Sequence, residues 1–325
     1  MKLYIKSSDC ISAQATFESA LPAELSLPEN GGLTCLKPDY KKFISPKLLR
    51  RMSPIIRNGV TCSLSTLKQA NIEVPDAIIV GTALGCLKDT ASFLTQLIEE
   101  NEELPNPTHF IQSTHNTIAG QLALLLKCTN YNFTFSQMHN SFECALLDAQ
   151  LMLLDEQANN VLVGGVDELP EVSYELTKDL DCYKEATLGE GGSFFVLSTE
   201  ESSVELKGVK IINSPDCNIE EELKHFNLSI NDVDVVIGGD VAENDATYSA
   251  FQHKFEGKPY VWYKPFMGEF GTASSMALWI ASKIIEEQTI PQCWLKSGMD
   301  FNNYNNVVIY NNVGGEQSLI VLSKN

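Results

Sequence analysis

The sequence predicts an α/β protein in two halves, with strands and helices alternating along nearly the whole chain. Three observations carry this. Short β-rich runs bounded by Gly, Asn or charged residues recur at Ala77–Val80, Tyr131–Phe135, Val161–Val163 and Phe194–Leu197. Segments of helical length lie between them, their apolar residues spaced three and four apart. After the pair Glu200-Glu201 the alternation starts again, so the expected organisation is a first half over 1–200 and a shorter second half over 201–325. Such alternation implies mainly parallel sheets with helices on their faces.

Taken in order, the first long helix is expected from Pro46 to about Gln69. Leu48, Leu49, Met52, Ile55, Ile56, Val60, Leu64 and Leu67 make its apolar stripe, Ser45 is placed to cap it, Pro46 sits at the first helical position, and Pro54 suggests a bend. Helices follow over Asp89–Glu99 and about Thr108–Lys127. Tyr131, Phe133 and Phe135 then alternate as in a strand, Ser136–His139 form a turn, and Phe142, Ala145, Leu146, Ala149, Met152 and Leu153 return to helical spacing. In the second half, strands are expected near Val204–Ile211, Val233–Ile237, Tyr260–Trp262, Val307–Tyr310 and Ser318–Leu322, and helices near Glu220–Phe226, Glu243–Lys254 and Thr272–Glu287. A weak internal echo links VLVGGVDE at Val161–Glu168 with VVIGGD at Val235–Asp240.

Composition narrows the classes. With 325 residues, 44% hydrophobic and 20% charged, the chain supports one large core or two packed ones. The opening MKLYIKSSDC does not resemble a signal peptide and apolar runs such as Leu122–Leu126 are short, so a soluble cytoplasmic protein with no membrane span is expected. Nine scattered cysteines without a C-x-x-C pair argue against disulfides and zinc, and read as small core residues in a reducing compartment. The net charge of −19 makes nucleic acid a poor partner. Against this acidic background Lys37, Lys41, Lys42, Lys47, Arg50, Arg51 and Arg57 cluster, and these three arginines are all the chain has. By itself such a cluster reads equally as a solvated helix face.

The segment NYNFTFSQMHNSFECALLDAQLML is the most informative. Strand, turn and helix make a sharp elbow, with Asn140 and Glu143 spaced as an N-cap and its reciprocal acidic partner. A side chain presented at a helix amino terminus suits a nucleophile or an anion site, because free N–H groups and the helix dipole favour negative charge there.

At this point the chain resembles the β-ketoacyl synthases. The same elbow is followed by a strand ending in Gly164-Gly165-Val166-Asp167-Glu168. ISPKLLRRMSPIIRNGV (Ile44–Val60), VGTALG (Val80–Gly85), LGEGGSFFVL (Leu188–Leu197), KPFMGE (Lys264–Glu269) and NNVGGEQSLIVL (Asn311–Leu322) are similar to family segments in the family's order. The resemblance implies a thiolase-like fold: two pseudo-symmetric halves in a layered α-β-α-β-α architecture. It also implies departures. His139 falls where the family has its catalytic cysteine, Gly239 and Glu269 where it has two histidines, and Lys264 at a supporting lysine. Val313, Gly314 and Gly315 match its glycine-rich gating loop, with Val313 at a position the family often fills with Phe.

Condensation needs a thiolate to carry the acyl chain and imidazoles to stabilise the thioester oxyanion, so the family's catalytic set is not intact. His139 is either an acyl acceptor or base, or a hydrogen-bonding residue plugging a disused site. Cys144, five residues on, reads as a buried structural cysteine. His109, His115, His225 and His253 lack metal-ligand spacing, and no metal or cofactor is expected. Lys47, Arg50 and Arg51 match the family surface that docks acyl carrier protein.

The function implied is a non-catalytic, chain-length-factor-type subunit for fatty-acyl or polyketide chains of aryl-polyene or flexirubin type. It would pair with a catalytic ketosynthase, or with itself, and recruit acyl carrier protein. The alternatives are an active 3-oxoacyl synthase or acyltransferase with an atypical site, and a stand-alone binder of acyl carrier protein or lipid.

Overall fold

Adjacent residues of a strand point to opposite faces, and most strands of this protein bury both, which dictates helices above and below the sheet. The computed structural model describes every residue except 28–31, 104–106, 179, 181–182, 185, 214–217 and 242–245. Among the described residues the strands are β1 (Leu3–Ile11), β2 (Ala77–Gly81), β3 (Tyr131–Phe135), β4 (Asn160–Asp167), β5 (Gly191–Ser198), β6 (Val204–Ile212), β7 (Val235–Gly238), β8 (Tyr260–Trp262), β9 (Leu295–Ser297), β10 (Asn306–Val313) and β11 (Glu316–Lys324). They form one continuous sheet in the order β3-β2-β4-β5-β1-β6-β11-β10-β7-β8-β9.

Alternation along the strands sorts the core into three clusters, and so into five layers. Ile78, Val80, Leu162, Phe194 and Val196 face the helices Pro54–Ala70 and Thr117–Leu126. Their neighbours Ile79, Val161, Val163, Phe195 and Leu197 turn the other way, onto the central helices Ser141–Leu154 and Ser274–Glu287. The far side of that central layer is lined by Val235, Ile237, Ile309, Ile320 and Leu322. Val236, Val308, Tyr310, Leu319 and Val321 point outward to Ile219, Leu223, Phe251 and Phe255 on the last helical layer. This is the expected α-β-α-β-α stack.

The two sides of the sheet also repeat each other. β2 lies parallel between β3 and β4, and β7 lies parallel between β8 and β10. β5 then joins β4 to β1, and β11 joins β10 to β6, by antiparallel pairing. Two expectations are corrected by this. The sheet is mixed, not mainly parallel, because β1, β5, β6 and β11 return antiparallel through its middle. The echo between Val161–Glu168 and Val235–Asp240 links non-equivalent strands, since β4 corresponds to β10 and β7 to β2.

Helix boundaries need correction too. The segment expected as one bent helix is two, Pro46–Leu49 and Pro54–Ala70, because Pro54 begins a helix and does not bend one. Likewise Thr108–Lys127 divides into Pro107–Gln112 and Thr117–Leu126. The helix expected from Glu243 is described from Ala246 to Lys254, its first residues lying outside the described set. β1, β9 and the helix Glu171–Thr177 were not expected.

Five cysteines are buried, Cys144 and Cys293 are half-exposed, and Cys182 and Cys217 lie outside the described residues. No helix among the described residues is long and apolar enough to cross a membrane.

Candidate functional site

The elbow lies where β3 gives way to the helix Ser141–Leu154. Its sharpness is visible at Met138, whose φ of 46° puts a non-glycine residue in the left-handed region. Gly81 on β2 allows the helix to approach, since a Cβ there would lie 2.6 Å from the Ser141 carbonyl oxygen. The expected capping box does not form. Ser141 Oγ instead accepts from Gln137 N at 2.8 Å and donates to the Met138 carbonyl at 2.7 Å. Glu143 is drawn into the core, where Ser318 Oγ on β11 donates to its Oε1 at 2.8 Å. Burial pushes the Glu143 carboxyl up to about 7, against the opposing bonds from Ser318 and Ser274.

His139 is the residue the elbow presents, and it is 8% exposed. Its Nε2 shares a 2.9 Å hydrogen bond with the Tyr183 hydroxyl, and its Nδ1 lies 3.9 Å from Glu269 Oε1. Burial first, and the Lys264 charge second, push the imidazole down to about 4, so it is neutral at pH 7. The Glu269 carboxylate does not reverse this, because its other oxygen is 2.5 Å from Lys264 Nζ. The backbone N–H of His139, the donor an oxyanion would need, is taken: it donates to Glu316 Oε2 at 3.1 Å.

The second and third positions are equally closed. Lys264 is buried and donates to Asn311 Oδ1 at 2.9 Å as well as pairing with Glu269. At Gly239 a Cβ would meet Asn311 Oδ1 at 2.5 Å, Tyr248 Oη at 2.7 Å and Lys264 Nζ at 3.2 Å. No imidazole fits there without displacing that cluster. The backbone of Glu269 is held in turn by Leu188–Gly189, with Glu269 N donating to Thr187 O at 2.8 Å and Gly189 N to Glu269 O at 3.1 Å.

Val313 closes β10 and is buried, while exposed Gly314 and Gly315 (φ 60° and 90°) make a two-residue hairpin that pairs Val313 with Glu316. The glycine-rich segment is therefore a tight hairpin that delivers Glu316 to the elbow.

The pocket that remains over the elbow measures about 50 Å³ and is lined by Met138, His139, Glu168, Tyr183, Glu269 and neighbours. That is room for one or two waters, far below the roughly 300 Å³ where ligand pockets begin. Among the described residues no cysteine lines it, and His139 is its one imidazole. Cys144 is half-exposed on the following helix, so the expectation of a buried thiol is corrected, and burial and the Glu143 charge raise its pKa. His115, His225 and His253 are exposed, His109 sits 3.4 Å from Asp89, and no cluster able to hold a metal occurs among the described residues.

Sequence reasoning placed His139, Gly239, Lys264 and Glu269 around one point, and the structure brings them together there. Tyr183, Asn311 and Glu316 were missed. Glu143 had a usable signal, a carboxylate on the apolar face of its helix.

Lys47, Arg50 and Arg51 stand apart from this pocket, exposed on and just after the helix Pro46–Leu49. None of the seven cations between Lys37 and Arg57 has a carboxylate within ion-pair distance among the described residues.

With this geometry in view, the chain belongs to the β-ketoacyl synthase family: residues 33–203 match the beta-ketoacyl synthase N-terminal domain. No curated protein matches the sequence. Solved structures give the fold over the whole chain. The ishigamide ketosynthase/chain length factor is 15% identical with a TM-score of 0.81, covering 100% of this chain and 99% of that one. The AntDE:AntF structure, a type II PKS acyl-carrier protein in complex with its ketosynthase, is 17% identical with a TM-score of 0.78 and the same coverage. The ketosynthase ApeO in complex with its chain length factor ApeC, from Xenorhabdus doucetiae, is 16% identical with a TM-score of 0.74 and covers 100% and 98%.

Proposed function

We propose that this protein is a non-catalytic, chain-length-factor-type subunit. It pairs with a catalytic ketosynthase in the cytoplasm and helps build fatty-acyl or polyketide chains, of aryl-polyene or flexirubin type, on acyl carrier protein. The observation that carries this is the closed elbow: an imidazole at the nucleophile position, its N–H capped by Glu316, beside a Gly239 site already filled. With no thiol among its described lining residues and the His139 N–H already bonded, the elbow is poorly equipped to hold an acyl intermediate.

Pairing is supported by the outer edge of the sheet. β3 ends it, so one side of its backbone has no strand partner among the described residues. Tyr131 and Phe133 stack along that strand and are 41% and 47% exposed. Leu147 and Leu151 on the adjoining helix and Leu124 on the next are exposed as well. An aromatic edge strand flanked by exposed leucines suits strand-to-strand association. Docking of acyl carrier protein is supported by exposed Lys47, Arg50 and Arg51 on an otherwise acidic chain.

Reconstitution tests the proposal. The partner ketosynthase and acyl carrier protein, assayed with and without this chain, should show a change in product length or rate that requires it, while intact-mass analysis finds no acyl adduct on it. Identical products at identical rates without the chain overturn the proposal, and an adduct at His139 favours an atypical enzyme instead.

A further inference from the structure

The two halves of the sheet end differently. β8 stands to β7 and β10 as β3 stands to β2 and β4, so the repeat makes both of them edge strands. β3 is open among the described residues, whereas β8 is covered by β9, which runs antiparallel to it with Tyr260 opposite Ser297 and Val261 opposite Leu295. β9 has only three residues, so few ladder bonds hold it. Side chains do the rest. Lys296, the middle residue of β9, folds inward until its side chain is 10% exposed, and its Nζ pairs with Asp240 Oδ2. Asp240 is fully buried just beyond β7; its other carboxylate oxygen accepts from Tyr260 Oη at 2.7 Å, and its carbonyl accepts from Trp262 Nε1 at 2.8 Å. The Lys296 ammonium also lies 5.0 Å from the Trp262 ring centroid and 5.8 Å from that of Tyr260. One cation thus ties β9 to both ends of β8. On one side of β9, buried Trp294 donates from Nε1 to the Pro22 carbonyl at 2.9 Å. On the other, Gly298 (φ 83°) turns so close to β8 that a Cβ there would lie 2.7 Å from Pro259 Cα.

We infer that β9 is a guard strand, latched by Lys296, that keeps the β8 edge from pairing with a second copy of this chain. Short strands and inward-pointing charges are how sheet edges are kept from associating. Beneath the guard, β8 offers the buried side chains Tyr260 and Val261 to any strand that replaces β9. With β3 open as well, an unguarded chain has an associating edge at each end of its sheet, and two such edges build open-ended assemblies where one builds a pair. That last step rests on the β3 pairing proposed above; the guarding of β8 does not.

The test is the mass of the full chain in solution, read by light scattering, together with hydrogen exchange of the β8 amides in dilute solution. Ser297→Pro, at an exposed position, breaks the β9 ladder and leaves the latch residues in place. D240N/K296A removes both charges of the latch together, so that no buried charge is stranded. Ser297→Pro spares the core and reads the guard even where the double variant does not fold. In each, the amides of Tyr260–Trp262 should exchange roughly tenfold faster or more. The mass should rise by one association step: a monomeric parent becomes a dimer, and a dimeric parent becomes a series that grows with concentration. F133D on the β3 edge separates this inference from the pairing it adjoins, because in that background the guard variants should still go from monomer to dimer, through β8 alone. If F133D pairs as the parent does, the β3 reading fails and the guard stands. Amides of β8 that stay protected in both guard variants, or that open with no rise in mass, overturn the guard.

Discussion

The elbow and the basic segment 37–57 differ in how their polar groups are kept. At the elbow the buried polar groups are bonded from within: Lys264 to Glu269 and Asn311, the His139 N–H to Glu316, Glu143 to Ser318. Over that segment seven cations have no carboxylate partner among the described residues. Burial explains the first case, since an interior charge without a partner costs several kcal/mol. Water explains the second, since exposed cations need no partner. Pairing in the interior is thus forced and carries little information about use, whereas what is informative in the segment 37–57 is placement: every arginine of an acidic chain lies there.

The contrast breaks first at Lys264. Removing it as K264M strands the Glu269 carboxylate in the core and should lower unfolding free energy by about 3–5 kcal/mol, read by urea denaturation, with K264M/E269L recovering most of the loss. Reversal of exposed charges at Lys47 or Arg51 should stay within about 0.5 kcal/mol. A K264M loss no larger than that would mean water reaches the pair.

Next comes the pH dependence of His139. Its pKa of about 4 lies below the ordinary 6.5, so the unfolded chain takes the proton first. Stability should fall as pH drops from 6.5 toward 4, by about 3 kcal/mol in all. Glu143 works in the opposite direction. Its raised pKa of about 7 makes stability fall as pH rises from 4.5 toward 7, because the unfolded carboxyl ionises first. The difference between parent and H139Q isolates the imidazole: flat above pH 6.5 and falling below it. A flat difference throughout would place His139 in water.

How much of this was legible follows from the range of each interaction. The elbow was readable because Tyr131, Phe133 and Phe135 and then Phe142, Ala145 and Ala149 carry their periodicities locally, and counting back from Ala149 lands on His139. β1 was not readable because polar Ser7, Ser8 and Asp9 interrupt its pattern. They are buried because Ser65, Ser282 and the Thr66 carbonyl, from distant helices, satisfy them. Tyr183 lies 44 residues from His139, and Glu316 lies 177 away. Nothing local announces either, and the same distance hid the antiparallel pairing of β5 and β11, since a strand's composition does not name its neighbour.

The smallest effect sharpens the comparison most, because it asks whether the elbow is closed by a contact or merely lacks sulfur. In H139C the new thiol sits at the helix amino terminus, which favours thiolate, but beside the Glu316 carboxylate, which opposes it. Replacing that carboxylate in H139C/E316Q keeps a hydrogen-bond acceptor for the position-139 N–H and removes the charge. Methyl methanethiosulfonate should then react roughly tenfold faster at neutral pH, the effect of about one pH unit in thiol acidity. Equal rates in the two variants would mean that Glu316 does not guard the elbow. A faster double variant makes the hairpin at Gly314–Gly315 a working part of the closure, because its two-residue turn sets where Glu316 reaches.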